Sequence, residues 1–415
     1  MTDTPIKRRQ ARGPSGTAKW HMSREAVSLS LPEIVGWSDS QCHEFLVEVR
    51  FGSRDTVSCP HCGTVGRHYW RALEKRWKCK GCGSTFSITS GTVFSKRKKS
   101  LREILTGVLM WLNSAAGQPA LELKRHMDTS YNTVFTLQHK LREALVRGHN
   151  IGLLSGEVEI DGAHQSGFRA AAKRGIPQGS IPIEDDLNEV SFKEALLTQI
   201  GKQKRRMKNV DGEVDPEFGQ RLPKDRRIMF AVRQRSPVQG KGACLTRIGI
   251  GKTETSEIAE AIMHSFIAMP ESCLNTDSAA AYRAVGTRFK KHRKIEHSKE
   301  LSGPNGENNN QAEELNGRDD RAEKGIYLNI EPKYLLDYAV ETAFRSDTRR
   351  LPNGEQLKLA MNLALNVGES LFWTGFTHGR HRPVELLYPE PLLVPASGPR
   401  KGRHPISSAN GRPPR

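Results

Sequence analysis

No apolar run in the 415 residues comes near the ~20 needed to cross a bilayer. The basic N-terminus is not followed by the short apolar region of a secretory signal, so neither a span nor an export signal is expected. Cysteine is scarce and odd in number: seven in all, with Cys42, Cys244 and Cys273 standing alone and four others in two tight pairs. That pattern argues against a disulfide scaffold and for a reducing compartment with a metal site. Acidic residues are also in deficit, 46 against 64 Lys plus Arg, leaving a net charge of +18. An excess of this size points to a polyanion, because each phosphate neutralised releases condensed counterions; a merely soluble basic surface is the alternative. Cytoplasmic, nucleoid-associated double-stranded DNA is the expected setting and partner. Length alone suggests about three domains.

Residues 1–24 are basic and poor in large apolar side chains, and disorder is expected there. The last segment, 391–415, ends in "PRKGRHPISSANGRPPR" with no acidic residue; a flexible tail is expected that touches DNA backbone nonspecifically or does nothing. From Leu31 the pattern becomes helical. Pro32 is placed to open one helix, and Ser38 or Asp39 to cap a second carrying Cys42, Phe45, Leu46 and Val49.

The sharpest motif follows, completing a region 25–95. "CPHCGTVGRHYWRALEKRWKCKGCGSTFS" sets Cys59 two residues from Cys62 and Cys79 two from Cys82, with sixteen residues between the pairs. Gly63 and Gly83 let each knuckle turn its amides toward the thiolates, and Tyr69, Trp70 and Trp77 read as strands of a small ribbon. Four thiolates close a tetrahedral shell at ~2.3 Å with no open position, so one structural Zn²⁺ is expected; a redox pair is the competing idea for a lone CxxC.

In 96–150 a basic run, Lys96, Arg97, Lys98 and Lys99, leads into a helix with Leu101, Ile104, Leu105, Val108, Leu109 and Leu112 on one stripe. After Pro119 come a short helix, a turn at Asp128 to Ser130, and a longer helix with Val134, Leu137, Leu141 and Leu145 inward. The layout is that of a helix-turn-helix, which would put Asn132, Thr133, Thr136 and Lys140 on an outer face for DNA; an ordinary helical hairpin is the other reading.

Beyond Leu154 strands and helices alternate. "GEVEIDGAH" reads as a strand ending at Asp161, "RRIMFAVRQR" and "ACLTRIGIGK" as the next two, and "TSEIAEAIMHSFI" as a helix capped by Thr255 or Ser256. "SCLNTDSAAAY" gives a fourth strand ending at Asp277, "KIEHS" a fifth, and a last helix begins near Asn308, with Asn308 or Asn309 as its cap. Residues 166–225, charged and rich in Gly and Pro, read as an insertion within 151–390. Three strands, helix, strand, helix, strand, helix is the order of an RNase H-like α/β domain. It would set Asp161 beside Asp277, with a carboxylate near the start of the last helix closing the set.

These stretches carry a resemblance. From "FLVEVRFGSRDTVSCPHCG" through "SGTVF", "LREAL", "VEIDGA", "TDSAAAY", "HSKE" and "NNQAE" to "RAEKGIY", "KYLLDYAVETAFRSDTRR" and "NGEQ", the chain resembles insertion-sequence transposases that carry a zinc ribbon ahead of a DDE (retroviral-integrase-type) domain. The resemblance implies Asp161, Asp277 and Glu313 as the catalytic triad, with Asn310 and His297 as accessory residues. The 35 residues between Asp277 and Glu313 are an interval familiar in such enzymes. It further implies two Mg²⁺ or Mn²⁺ ions on the triad, cleavage and strand transfer at terminal inverted repeats, and a dimer or larger assembly that pairs two ends. Arg318 and Arg321 would meet DNA phosphate. The chain departs from the family where aromatics usually follow the glutamate, having Glu314, Leu315, Asn316 and Gly317 there, and at His164, three residues after the first aspartate. Those departures are the support for an alternative, a catalytically inactive, domesticated DNA-binding regulator; a structure-selective nuclease or resolvase is a third reading, against which the ribbon and helix-turn-helix argue.

Overall fold

Three serines open the N-terminal helices by the same device. Ser30, Ser38 and Ser100 each accept the amide three residues on, and the Glu or Gln at that position returns its side chain to the serine amide, which satisfies two orphan donors at once. They start α1 (Leu31–Gly36), α2 (Asp39–Phe51) and α3 (Leu101–Asn113). The computed structural model describes residues 20–165, 227–238, 240–277, 282, 285–295, 308–328, 330–379, 382 and 385–387. The insertion at 166–225, the tail 391–415, residues 1–19 and His297 lie outside the described residues.

Between α2 and α3 sits a three-stranded antiparallel ribbon, β1 (His68–Arg71), β2 (Arg76–Cys79) and β3 (Thr85–Phe86), in that order. Its inner side is aromatic: Trp77 stacks on Phe86 with centroids 5.5 Å apart, and His43 of α2 lies 5.0 Å from Trp70 and 5.2 Å from Trp77. Strands of two to four residues cannot hold themselves, so this contact and the cysteines must.

α4 (Ala120–Met127) and α5 (Tyr131–Gly148) follow, joined by a turn in which Asp128 is left-handed and Ser130 caps the second helix. The hairpin matches its sequence pattern, but α5 lacks the open outer face that the pattern suggested. Its buried residues include Gln138, His139, Arg142 and Glu143 as well as Val134, Leu141 and Leu145. The cause lies far down the chain. α5 is flanked by α8 (Leu335–Thr348) and α9 (Asn353–Asn366). Arg142 donates to Glu341 of α8 at 2.6 Å under the ring of Tyr338, 3.9 Å away, while Glu143 accepts from Ser370 and the Leu371 amide.

The main sheet has five strands: β4 (Glu157–Gln165), β5 (Arg227–Arg235), β6 (Ala243–Gly251), β7 (Cys273–Asp277) and β8 (Lys291–Ile295). They lie in the order β6-β5-β4-β7-β8, the first three antiparallel, with β7 and β8 parallel to β4. Period-two alternation sorts the faces. Val158, Ile160, Ile228, Phe230, Val232 and Leu274 pack with α6 (Ser256–Phe266), whereas Met229, Ala231, Ile248 and Ile250 join the helices on the other side. Two details differ from the sequence reading: β4 runs on past Asp161 to Gln165, because β5 pairs with it that far, and β8 begins at Lys291 and not at Lys294. Between β7 and β8 the described residues include a 3-10 turn, Val285–Arg288; the helix expected there falls largely outside the described residues.

α7 (Asn310–Ala322) lies over β4 and β5 and runs into a π-helical turn, Glu323–Tyr327. One apolar cluster extends from Leu29 and Ile34 through Leu105 and Leu145 to Leu336 and Leu365, across the boundaries drawn at 95 and 150. Asn353 ties its ends together, accepting from the Ser28 and Leu29 amides and donating to the Leu29 carbonyl. No helix among the described residues is long and apolar enough to cross a membrane.

Candidate active site

The parallel pairing of β4 and β7 fixes the first two carboxylates. Glu157 pairs with Cys273, Val158 with Leu274 and Glu159 with Asn275. That pairing ends at Glu159 and Asn275; Asp161, two residues further along β4, lies on the face turned away from Val158 and Ile160, and Asp277, the last residue of β7, is near enough to act on its carboxyl. The first turn of α7 presents Glu313 over that face. The three charges act on one another. Burial, first, pushes the Asp161 carboxyl up to about 7; the Asn316 amide, donating at 2.7 Å, opposes this, and Asp277, Glu313 and Glu254 add to it. Such a group ionises readily only when positive charge arrives.

Among the described residues, the four ribbon cysteines are the group of metal-ligating side chains whose donor atoms all lie within 4.8 Å of one another. The three carboxylates are neighbours without that degree of closure.

Glu314, next to Glu313, is held elsewhere. It accepts from Arg318 at 2.6 Å and Arg233 at 3.2 Å. Burial raises its carboxyl, but the two guanidiniums outweigh burial and leave it below the usual range. Arg318 is therefore engaged within its own helix, whereas Arg321 is exposed. Asn310 is exposed at the helix start, and its amide faces Asn308 Oδ1 at 3.4 Å. Asn309 occupies the cap position without a side-chain cap bond.

Sequence reading missed several neighbours. Glu159, two residues before Asp161 and hence on its face of the strand, could have been found by alternation. Asn316, three residues after Glu313, donates its side-chain amide to Asp161. Glu254 accepts from the buried Tyr282 hydroxyl at 3.1 Å. Its Oε1 would lie 2.7 Å from a Cβ added at Gly162, so a larger residue after Asp161 would displace the Glu254 carboxylate.

Gly317 makes no such demand. A Cβ there meets Arg321 Nη1 at 3.4 Å, an ordinary contact, and the backbone is helical. Gly317→Ala is expected to raise stability by about 0.5 to 1 kcal/mol, read as a shift of the urea midpoint at constant m-value. One turn beyond Asn316, Asp319 is buried with Oδ2 unpartnered and Oδ1 accepting from Thr342 at 2.9 Å. Burial, against the Thr342 hydroxyl and aided by Glu323, Glu341 and Asp320, raises it to about 7. The neutral form is favoured in the fold, so its stability is full below about pH 4 and is lost as pH rises toward 7. Asp319→Asn should raise Tm at pH 8 and change it little at pH 4; equal shifts at both pH values would refute the assignment.

The ribbon is built twice over. In each knuckle the first cysteine's carbonyl accepts from the glycine amide four residues on, Gly63 to Cys59 and Gly83 to Cys79, and both glycines have φ near +70°, at 75° and 71°. The first cysteine's own amide donates five residues on, to Thr64 and Ser84. Sγ separations of 3.8 Å for Cys59–Cys82 and 3.6 Å for Cys62–Cys79 match the edge of roughly 3.8 Å that a tetrahedron of 2.3 Å Zn–S bonds requires. The residues present thus fit one structural zinc, and no disulfide joins them.

The basic run and the helical hairpin contribute unequally exposed residues. Lys96, Arg97 and Lys98 are exposed, while Lys99 pairs with Glu103 at 2.8 Å. On α5, Asn132 is exposed and Thr133 half-buried, but the Thr136 hydroxyl is buried and burial lowers the Lys140 ammonium from its ordinary value. The outer face shrinks to the N-terminal turn.

Residues 37–85 match the family described as the transposase zinc-ribbon domain, and residues 189–347 match the ISXO2-like transposase domain. The second match begins beyond Asp161 and takes in Asp277 and Glu313. The chain is 32% identical over 130 residues to an uncharacterized protein in transposable element ISH50 of Halobacterium salinarum; the match spans 30% of this chain and 41% of that relative.

Proposed function

We propose that this chain, placed by its two matched domains among the zinc-ribbon insertion-sequence transposases, binds the terminal inverted repeats of its element and cleaves and joins DNA in an RNase H-like site of Asp161, Asp277 and Glu313. The observation that supports the reading is the parallel pairing of β4 with β7, recorded up to Glu159 and Asn275, two residues short of Asp161 and Asp277, with Glu313 in the first turn of the helix that packs on β4. Three carboxylates form a hard-oxygen donor set suited to Mg²⁺ or Mn²⁺, and the raised Asp161 carboxyl fits a place made for positive charge. Bound divalent ions supply Lewis acidity to the phosphoryl oxygens, to the attacking oxygen and to the leaving 3′ oxygen. Asp161, Asp277 and Glu313 would be the residues to hold those ions. Asn316 keeps the Asp161 carboxylate turned toward α7. Cleavage breaks a phosphodiester and frees a 3′ hydroxyl, which then replaces water as the attacking group on target DNA.

The ribbon, the exposed Lys96 to Lys98 and the exposed turn at Asn132 provide a basic front for duplex DNA, and pairing of two ends calls for at least two copies. The test is direct. Purified chain with inverted-repeat DNA should nick at the element end in Mg²⁺ and not in chelator; sequence-specific binding with no metal-dependent nicking would favour a regulator instead.

A further inference from the structure

The helix that carries Glu313 begins without a cap of its own. Asn309 stands at its N-cap with φ −122° and ψ 27° and makes no side-chain cap bond. The carboxylate of Glu159, fully buried on β4, takes that part from 150 residues away: Oε2 accepts from the Gln311 amide at 2.7 Å and from the Ala312 amide at 3.1 Å. Oε1 accepts from Arg235 Nε at 2.5 Å, and Arg235 Nη2 continues to the Asn308 carbonyl at 2.6 Å and its side chain at 2.8 Å. Arg233 adds a bond to the Gln311 carbonyl at 2.7 Å and another to Ser346 of α8 at 2.7 Å. Orphan amides and the positive end of the helix dipole both favour an anion at this spot.

The geometry points to Glu159 as a positioning residue, which, through Arg235 and the amides of Gln311 and Ala312, fixes the distance between Asp161 and Glu313. Glu159 lies two residues from Asp161 on the same face of one strand, and the amides it holds belong to the two residues before Glu313. A single buried carboxylate therefore ties the first member of the row to the third. It touches neither DNA nor the reacting oxygens. Its effect is on alignment, where displacements of an ångström are costly.

The inference rests on the proposed carboxylate cation site, and two readouts separate the one from the other. In the zinc-loaded full chain, hydrogen exchange at Gln311 and Ala312 and Mn²⁺ affinity by calorimetry are compared for wild type, Glu159→Ala, the conservative Glu159→Gln, and Glu157→Gln as a control, since Glu157 pairs instead with Arg293. Glu159→Ala should speed exchange of both amides by at least about tenfold and weaken Mn²⁺ by about 10- to 100-fold. Glu159→Gln, which keeps an acceptor, should fall between, and Glu157→Gln should match wild type. Unchanged exchange in both Glu159 variants would overturn the role, as would faster exchange with Mn²⁺ affinity intact. Should Asp161→Asn leave Mn²⁺ binding untouched, the cation-site reading fails, while the exchange data still judge the cap.

Discussion

Asp161→Asn should reduce metal-dependent nicking of inverted-repeat DNA by at least about 10³-fold and at the same time raise the Tm of the metal-free protein at pH 8. The two effects have one cause. Asp161 sits in a largely buried place on β4, with Asp277 and Glu313 for neighbours, and its carboxyl is pushed up to about 7 by burial, despite the amide of Asn316. An unfolded aspartate titrates near ~3.9. The folded chain therefore binds the proton more tightly, and stability contributed by this group is complete below about pH 4 and falls as pH rises toward 7. Asparagine has nearly the same shape and stays neutral, so it removes that cost above pH 7 while leaving the strand's pairing with Ala231 as it is. What it cannot do is hold a cation. On the proposed reading this buried carboxylate awaits a cation, and such sites trade stability for function. Single-turnover cleavage of end-labelled DNA gives the rate, and calorimetry at pH 5 and pH 8 the stability. Wild-type nicking by the variant would remove Asp161 from the site; a lowered Tm at pH 8 would mean that the aspartate is structural.

How much of this was legible follows from how far apart the partners lie in the chain. The Ser38 cap, the cysteine knuckles and the strand ending at Asp277 each depend on residues within five positions, and each was read; the equally local caps at Ser30 and Ser100 were not picked out. The α4–α5 hairpin was readable for the same reason, but the burial of α5 was not, because Arg142 is neutralised by Glu341, 199 residues away. Charged residues on a helix face read as solvated until the partner is known. The cap of α7 was expected from Asn308 or Asn309 and is supplied by Glu159, since sequence-local capping rules do not see a carboxylate on a neighbouring strand. The neighbourhood of β4 and β7 was anticipated from strand order, whereas their register, Glu159 beside Asn275, is a property of the pairing and not of either strand's sequence. Resemblance and spacing pointed to Glu313 with Glu314 as its rival; what they could not show is that Arg233 and Arg318 engage Glu314, while Glu313 is exposed in the first turn.

Cys79→Ser, or stripping with a strong chelator, is the second large effect expected, and it should dismantle the ribbon. Its three strands contain four, four and two residues. So little sheet buries too little apolar surface to offset its own ordering. What it has instead is four sulfurs at tetrahedral spacing and an aromatic contact with α2. Apparent binding free energies of about 10 to 16 kcal/mol are typical of structural zinc in such small domains, far more than Trp77, Phe86 and His43 can replace. Cys79 is buried and is the last residue of β2, so serine there loses a thiolate ligand and leaves a buried hydroxyl in its place. Its partner Cys62 is exposed, and the Thr64 hydroxyl and amide hold its thiol down to about 6, so one ligand is already prepared as thiolate near neutral pH. Zinc should stay bound from neutral to alkaline pH and leave as acid protonates the sulfurs. The measurement is one zinc per chain by metal analysis in wild type and none in the variant, with the emission of Trp70 and Trp77 shifting to the red as the ribbon opens. The five-stranded sheet shares no strand with the ribbon, so its β structure should persist, and Mn²⁺ binding at the carboxylates with it, at a lowered Tm because one apolar cluster joins the two. DNA binding should be lost. A chelated protein that keeps its tryptophan spectrum and its affinity for DNA would show that packing against α2, and not the metal, holds this end of the chain.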